Sequence, residues 1–365
     1  MAGAIVCQAV KPVWINDKLH SQLGRSTRPA QRRIDATDEE PAREAYGQCR
    51  VLEVDAKSAL TDFTMGGHAT GIAWSLNPYV GCMHRCAYCY VPDTMKVDRR
   101  RWGNYVVAKQ NLPRLVEREM RTRKPLTVYI STATDPYQAA ERDLEIVRRC
   151  LEIILRKDWP VEILTRSPLV LRDLDFLRRF SQLRVGLSVP TLDDEARKIV
   201  EPAAPPISAR LHTLRQLADE GLTVFANYSP AYPTTSGTTM RDVARAFRDA
   251  GVSWVNTSYW RRQPSFLPAL WERLQGTQWE DLARFIASEE RQRAARAELA
   301  AALAEENVPL RTGFFNPPFD PAPARTRETS LDSVDSTAPR ARHGLLEPAW
   351  MSPTAEAAYP EYEGA

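Results

Sequence analysis

Residues 77–90 read NPYVGCMHRCAYCY and contain three of the six cysteines of the chain within eight positions. Cys82, Cys86 and Cys89 have the spacing C-x3-C-x2-C, and Tyr88 directly precedes the last of them. A deprotonated thiol is a soft metal ligand. The stretch therefore predicts a metal-binding loop with three thiolates, one fewer than a closed four-ligand site requires.

Three thiolates can hold three irons of a [4Fe–4S] cluster and leave the fourth iron open to a small molecule. The spacing matches neither the paired spacing of zinc sites nor the common ferredoxin runs. A zinc site is the alternative, with His68 or His84 as its fourth ligand. The remaining cysteines, Cys7, Cys49 and Cys150, are scattered, so the chain shows no disulfide framework and a reducing compartment is indicated.

Length, composition and charge set the general class. The 365 residues suit one large domain or two small ones, and a hydrophobic fraction of 43% is ordinary for a globular protein. The net charge of +3 gives no overall signature of polyanion binding. No apolar run approaches the roughly 20 residues of a membrane span, and the N-terminus lacks the pattern of a secretory signal, so we expect a cytoplasmic protein without a membrane partner.

From about Trp74 onward, strand-like apolar runs alternate with amphipathic helices. The six strands are predicted near Trp74 and at Leu126–Ser131, Val161–Thr165, Arg184–Val189, Thr223–Tyr228 and Val252–Asn256. Such alternation predicts parallel βαβ units, and continuous apolar runs are typical of strands covered on both faces. A complete eight-strand barrel needs about 250 residues, so the α/β pattern predicts a partial (β/α)6 TIM-like barrel. The cysteine loop follows its first strand, at the end where barrel active sites form.

Three regions are predicted along the chain. Residues 1–70 are an N-terminal extension. It is predicted to be flexible over residues 1–45, where few apolar positions recur, and short apolar runs in residues 46–75 predict strand fragments that lead into the cysteine loop. Residues 71–310 are the barrel with its C-terminal helices, including one long helix at 278–306. Residues 311–365 are rich in Pro, Ser, Thr and Asp, so a disordered tail is predicted there.

The motif Gly81-Cys82-x3-Cys86-x-Tyr88-Cys89 resembles the signature of the radical SAM superfamily. Between about residues 70 and 260, further short segments resemble the spore photoproduct lyase-like family: Asn77-Pro78-Tyr79, Cys89-Tyr90, Thr165-Arg166-Ser167, Gly186-Leu187-Ser188, Glu201-Pro202 and Ser229-Pro230. The resemblance implies a partial (β/α)6 barrel and a [4Fe–4S] cluster on the three loop cysteines, with S-adenosyl-L-methionine (SAM) on the open iron. It also implies an electron donor such as flavodoxin or ferredoxin. One electron would cleave SAM to a 5′-deoxyadenosyl radical, which abstracts hydrogen from a substrate.

The resemblance assigns roles to single residues. Tyr88 would pack on the cluster and contact the adenine through its backbone. Tyr90 matches a tyrosine that helps return a hydrogen atom, or is a second aromatic packed on the cluster. Arg166 matches a lysine that contacts the SAM carboxylate, and Ser188 a serine that contacts SAM; the alternatives are a surface ion pair and a strand-end cap. Glu201 would bind substrate or the SAM ribose, or form a salt bridge at a helix end.

The end of the second strand departs from the family pattern. Spore photoproduct lyase carries a cysteine there as hydrogen donor, whereas residues 131–135 of this chain read STATD. This argues against the same complete reaction on a thymine dimer. Ser131, Thr132 and Asp135 are predicted to hydrogen-bond the amino end of SAM, or alternatively to form the turn before Pro136.

Two short segments, Arg99–Trp102 and Tyr259–Arg262, combine arginines with aromatic residues. Such surfaces can bind phosphates and stack bases, while a solvated charged surface is the alternative. The predicted function is a radical SAM enzyme, lyase-like, that acts on an unidentified substrate, with nucleic acid as one candidate. The other hypotheses are a metal-stabilised, non-catalytic nucleic-acid-binding protein and a DNA-lesion lyase with a different hydrogen donor.

Overall fold

The structure is a computed structural model that describes residues 43–46, 49–63, 73–232, 237–258, 266–313 and 316–319. Most of the predicted flexible extension and of the predicted disordered tail lies outside these residues. The same holds for His68, Cys7 and the segment Tyr259–Arg262.

Twelve strands form within the described residues. In chain order they are β1 (Arg43–Tyr46), β2 (Cys49–Val54), β3 (Leu60–Asp62), β4 (Ala73–Leu76), β5 (Tyr79–Val80), β6 (Tyr105–Lys109), β7 (Thr127–Ile130), β8 (Val161–Thr165), β9 (Leu183–Ser188), β10 (Thr223–Tyr228), β11 (Trp254–Thr257) and β12 (Leu310–Thr312). They build an eight-stranded sheet of order β12-β11-β10-β9-β8-β7-β4-β3 and a four-stranded sheet of order β1-β2-β6-β5.

The same part of the chain forms eleven α-helices: α1 (Val91–Met95), α2 (Leu112–Glu119), α3 (Glu141–Leu144), α4 (Ile146–Lys157), α5 (Leu174–Leu177), α6 (Asp194–Val200), α7 (Ile207–Asp219), α8 (Met240–Asp249), α9 (Phe266–Leu274), α10 (Glu280–Ala287) and α11 (Glu289–Glu305). Short 3-10 helices lie at Arg99–Arg101 and Pro168–Asp173. None of the helices in the described ranges is long and apolar enough to cross a bilayer.

The larger sheet has the predicted connectivity. Six of its strands lie side by side in the order in which they occur along the chain, and each pairs in parallel with the next: β4, β7, β8, β9, β10 and β11. These are the six strands predicted from the sequence, so the mixed α/β class with a parallel sheet is confirmed. Strand β12 adds a seventh parallel strand beside β11, and β3 pairs antiparallel with β4.

Two helical stretches are each broken into two. The apolar periodicity of Glu141–Lys157 is typical of one helix, but the structure interrupts it at Glu145, which adopts a left-handed conformation with φ 47°. The long helix predicted at 278–306 is interrupted at Ser288, whose side chain accepts a hydrogen bond from the backbone N–H of Arg291 and so caps α11.

The two faces of the larger sheet differ in chemistry. One face shares an apolar core with the helices, formed by residues such as Val128, Val161, Val185, Val224, Leu151, Leu214 and Phe247. Side chains alternate along a strand, so the opposite face, called the inner face here, carries Glu162, Arg184, Gly186, Phe225, Asn227, Trp254 and Asn256. Phe225 stacks on Trp254 with ring centroids 5.3 Å apart, and a Cβ at Gly186 would lie 2.2 Å from the Phe225 ring.

The predicted start of the tail at residue 311 is wrong, because β12 spans Leu310–Thr312 and the chain continues onto the inner face. The Asn316 side chain accepts a hydrogen bond from Trp254 Nε1 at 2.9 Å and donates one to Glu162 Oε1 at 3.0 Å. Phe319 stacks on Arg184. Residues 316–319 therefore cover the inner face near the amino ends of the strands, which leaves the carboxyl ends for the cysteine loop.

Glu162 is fully buried under this segment and lies 3.2 Å from Arg184 Nε. Burial raises the pKa of Glu162 to about 7, although Arg184 acts in the opposite direction.

Candidate active site

The cysteine loop leaves the larger sheet at the carboxyl end of β4 and first forms the short strand β5, which pairs with β6. The turn follows at Gly81, whose φ is 91°. A Cβ at this position would lie 2.6 Å from the backbone oxygen of Tyr105, so glycine is required by both conformation and space.

Side chains from the end of β7 hold the loop. Thr134 Oγ1 donates a hydrogen bond to the backbone oxygen of Gly81, and Gln138 Oε1 accepts one from the backbone N–H of Met83 at 2.9 Å. The Tyr90 hydroxyl donates to the backbone oxygen of Thr132. The loop after the first parallel strand is thereby docked on the end of the second.

Arg99 holds the loop from its other side. Its guanidinium donates hydrogen bonds to the backbone oxygens of Ala87 at 2.9 Å and Cys89 at 2.7 Å, and pairs with Asp93 at 2.8 Å. Its side chain is only 12% exposed, and Trp102 is buried as well. The interpretation of Arg99–Trp102 as a phosphate-binding surface is therefore wrong for Arg99 and Trp102, because Arg99 binds the loop and Trp102 is buried in the same apolar cluster as Cys82. Arg100 is exposed and pairs with Asp98.

Cys82 and Cys86 are buried, Cys89 is half-buried, and all three are free thiols. Burial is the main cause that raises their pKa values, to about 12 for Cys86 and well above the ordinary range for Cys82. The thiols also raise one another's pKa, as neighbouring acids do. The positive charge of Arg166 lowers the pKa values of Cys86 and Cys89, against the effect of burial, and so favours their thiolates.

His84, the candidate fourth zinc ligand, is buried beside Asp135, with 3.4 Å between Nδ1 and Oδ2. Burial lowers its pKa to about 4, so the imidazole is neutral at pH 7. In the described ranges, no three Cys, His, Asp or Glu side chains converge as ligands of a single metal ion. Three cysteine thiols are the donor type that a [4Fe–4S] cluster takes, so the residues of the loop fit such a cluster.

A buried network of charged and phenolic groups connects the loop to the ends of β8 and β9. The Tyr88 hydroxyl donates to Glu201 Oε1 and accepts a hydrogen bond from Arg166 Nη2 at 2.9 Å. Glu201 Oε2 accepts from Arg210 Nη2 at 2.6 Å, and Arg210 Nη1 donates to the backbone oxygen of Ser188 at 2.9 Å. Burial works to raise the pKa of Glu201, but Arg210 and Arg166 outweigh it and hold the value at about 2.

The residues after β7 occupy defined positions. Asp135 Oδ1 accepts hydrogen bonds from the Tyr137 backbone N–H and from Thr165 Oγ1, while Oδ2 accepts from the Arg166 backbone N–H. Asp135 thus forms a turn and joins the ends of β7 and β8. Thr132 Oγ1 lies 2.8 Å from Ser75 Oγ, and Ser131 is left-handed with φ 63°.

Several buried polar atoms near the carboxyl ends of the strands have no hydrogen-bond partner in the described part of the protein. They are Ser131 Oγ, Asn227 Oδ1 and Nδ2, and Asn256 Nδ2. Ser188, Asn227 and Asn256 occupy one row of the parallel register. Leaving a buried polar group unpaired costs about 1–3 kcal/mol. A polar ligand beside the loop would satisfy these atoms, and SAM carries amino, carboxylate, ribose and adenine groups that can do so.

The structure brings together most of the predicted site residues. Tyr88, Arg166 and the loop cysteines belong to one connected region, and Tyr90 and Thr132 contact each other. Ser188 reaches the network through its backbone oxygen.

Sequence reasoning missed Arg210, Asn227, Asn256 and Gln138. Asn227 and Asn256 carried a signal, since each is a polar residue within an apolar strand. Arg210 carried none, because an arginine in an amphipathic helix is ordinarily exposed.

Comparison with known proteins agrees with this site. Residues 76–231 match the family model of the radical SAM superfamily. The resemblance to the radical SAM superfamily seen in the sequence is therefore confirmed over these residues.

Three relatives are uncharacterised. A protein of Methanocaldococcus jannaschii is 35% identical over 164 residues, which are 45% of this chain and 62% of the relative. A protein of Acidianus two-tailed virus is 33% identical over 48% of this chain and 62% of its own. A Mycobacterium tuberculosis protein is 28% identical over 56% of this chain and 63% of its own. The chain thus spans somewhat under two thirds of the relatives it matches.

Among solved structures, a cysteine-to-serine variant of spore photoproduct lyase superposes with a TM-score of 0.55 at 16% identity, covering 72% of this chain and 81% of that one. Spore photoproduct lyase complexed with dinucleoside spore photoproduct gives a TM-score of 0.54 at 14% identity, with the same coverage. The fold is therefore similar to that of spore photoproduct lyase.

Proposed function

We propose that the protein is a radical SAM enzyme that binds a [4Fe–4S] cluster through Cys82, Cys86 and Cys89 and cleaves SAM reductively. The observation that carries the proposal is the loop itself: three free thiols, two buried and one half-buried, in the radical SAM spacing and docked at the carboxyl ends of parallel strands. The parallel strands would form the predicted partial barrel around this site. A reducing compartment such as the cytoplasm suits three free thiols.

When bound, the cluster and SAM would supply a 5′-deoxyadenosyl radical that abstracts a hydrogen atom from the substrate. The protein's own part is to bind, orient and exclude water. Burial of Cys82 and Cys86 keeps solvent from the ligands. Thr134, Gln138 and Arg99 hold the loop through hydrogen bonds. Three of these bonds go to the backbone carbonyls of Gly81, Ala87 and Cys89, and Gln138 accepts one from the backbone N–H of Met83.

The SAM-binding residues would come from four strand ends. Arg166 offers a fixed cation for the carboxylate of SAM, since Tyr88 and Glu201 orient its guanidinium. Ser131 and Asn227 offer unpartnered hydrogen-bonding atoms, and Ser188 lies in register with Asn227. Asp135 and Thr132 would position the strand ends around SAM. Asp135 already binds Thr165 and the Arg166 backbone at the end of β8, and Thr132 contacts Ser75 of β4.

Tyr90 is the candidate for hydrogen return. Its hydroxyl is held on the backbone oxygen of Thr132, at the strand end where spore photoproduct lyase would carry its cysteine. With no cysteine in residues 131–135, any hydrogen return would depend on a phenol or on another donor. The substrate is unassigned, and the electron would come from a flavodoxin or ferredoxin.

The proposal is tested by anaerobic reconstitution of the full chain with iron and sulfide. We expect about four irons per chain, which is the content of one [4Fe–4S] cluster, and an EPR signal of the reduced protein that changes when SAM is added. Zinc in the protein as purified, with no cluster after reconstitution, would contradict the proposal and favour the zinc hypothesis.

A further inference from the structure

The network behind the cysteine loop contains an arginine, Arg210, whose hydrogen bonds go to Glu201, Pro205 and Ser188 rather than to the loop. Arg210 and Glu201 are both 0% exposed, and they are joined by a hydrogen bond of 2.6 Å. The other donors of Arg210 are fixed on the backbone oxygens of Pro205 and Ser188, each at 2.9 Å. The Arg210 guanidinium is thus held by the end of β9 and by the residues that follow α6, so its position is set by the fold.

Glu201 links Arg210 to the cysteine loop. Its second oxygen accepts the Tyr88 hydroxyl and lies 3.6 Å from Arg166 Nε. Tyr88 stands directly before Cys89, and its hydroxyl also accepts a hydrogen bond from Arg166. Arg210, Glu201 and Arg166 together carry one net positive charge; Arg210 and Glu201 are closed to solvent, and the Arg166 side chain is 18% exposed.

Burying an ion pair is costly unless each charge is well satisfied. Arg197 is a second buried arginine, and its charge is satisfied by a carboxylate that it does not share with the site. It lies on α6 and pairs with Asp194 through two hydrogen bonds of 2.8 and 2.9 Å. Its other hydrogen bonds go to the backbone oxygens of Ala204 at 2.8 Å and Glu201 at 3.4 Å. Arg210 differs, because its partner Glu201 is shared with Arg166 and Tyr88.

We propose that Arg210 holds Glu201, the shared partner of Tyr88 and Arg166, and that its fixed positive charge raises the reduction potential of the bound cluster. The inference rests on the proposed function. Reduction adds one negative charge to a cluster, so a fixed positive charge nearby favours the reduced form. One unit charge about 10 Å away, at an effective dielectric constant of about 20, changes the ratio of reduced to oxidised cluster roughly tenfold.

The test is an EPR-monitored redox titration of the reconstituted full chain, with dithionite as reductant and without added substrate. Arg210→Met should lower the ratio of reduced to oxidised cluster about tenfold at a given potential, which is about 59 mV for a one-electron couple. Arg210→Lys keeps the charge and should restore most of the shift. Glu201→Gln removes a negative charge and should move the potential in the opposite direction.

Arg197→Met is the matched control, since it also removes a buried arginine beside Glu201. Arg197 contacts Glu201 only at its backbone oxygen, at 3.4 Å, so the side-chain contacts of Glu201 with Arg210, Arg166 and Tyr88 stay intact. This variant should leave the potential unchanged. Equal shifts in Arg210→Met and Arg197→Met, or shifts of the same sign in Arg210→Met and Glu201→Gln, would overturn the inference. If Arg210→Met does not fold, Glu201→Gln decides: a higher potential supports the inference, and an unchanged or lower one refutes it.

Failure of the proposed function would look different. In that case the parent protein would show no cluster signal to titrate. A parent protein that binds a cluster and responds to SAM, with variants of unchanged potential, would refute only the role of Arg210.

Discussion

Arg99 provides a sharp test of how the cysteine loop is held. The substitution Arg99→Met keeps most of the apolar stem and removes the guanidinium, which binds the backbone oxygens of Ala87 and Cys89 and the carboxylate of Asp93. The first two bonds span the second half of the cysteine motif. The loop should therefore lose its main support on the side away from β7.

The magnitude follows from burial. The Arg99 side chain is 12% exposed and Asp93 is 16% exposed, so solvent can replace the lost bonds only in part. Hydrogen bonds to charged groups contribute about 1.5–3 kcal/mol each, and these three are cooperative and partly hydrated. We expect Arg99→Met to lower the free energy of unfolding by about 3 kcal/mol.

The assay is urea unfolding of the metal-free, reduced protein, followed by iron analysis after reconstitution and desalting. Arg100→Met is the control, because the neighbouring Arg100 side chain is 89% exposed and pairs only with Asp98 among the described residues. Arg100→Met should unfold like the parent and retain its iron, whereas Arg99→Met should unfold earlier and retain less. Identical unfolding midpoints for the two variants would refute the assignment of Arg99 to the loop.

Three further outcomes are expected. Cys82→Ser should abolish cluster binding measured by iron content and visible absorbance, whereas Cys150→Ser, at a buried thiol outside the loop, should retain it; a cluster in the first variant would remove Cys82 from the ligand set. The pKa of Glu162 is raised by burial to about 7, so the folded protein binds a proton that the unfolded chain releases, and stability from this group falls by roughly 3 kcal/mol as the pH rises from about 4.5 to 7. Glu162→Gln should flatten that part of the stability curve in urea titrations at several pH values, and an unchanged slope would show that Glu162 does not cause it. Asn316→Ala should lower the free energy of unfolding by about 2 kcal/mol, because it removes the hydrogen bonds that Asn316 makes with Trp254 Nε1 and Glu162 Oε1. Unfolding identical to that of the parent protein would mean that residues 316–319 do not support the sheet.

The strands and the cysteine loop were predictable because their signals are local. Val161–Thr165 and Thr223–Tyr228 are continuous apolar runs bounded by turn residues, and the structure has strands at those positions. The metal-ligand prediction rested on spacing alone, within eight residues. Such patterns require no knowledge of distant contacts.

The parts that were missed depend on contacts between distant residues. Asn316 begins a Pro-rich segment that composition assigns to a disordered tail, but its side chain fits between Trp254 and Glu162. Arg99 lies in a basic run typical of a surface, and only the folded loop offers it two buried carbonyls. Arg210 is invisible to amphipathic analysis, because the carboxylate that permits its burial lies nine residues away at the end of another helix.

The central claim is reductive cleavage of SAM at this site, and its product is 5′-deoxyadenosine. The decisive measurement is quantification of 5′-deoxyadenosine after the reconstituted protein is mixed with SAM and dithionite under anaerobic conditions, with Cys86→Ser as control. We predict 5′-deoxyadenosine from the parent protein and none above background from the variant. An intact, reducible cluster in the parent protein that yields no 5′-deoxyadenosine would contradict the claim.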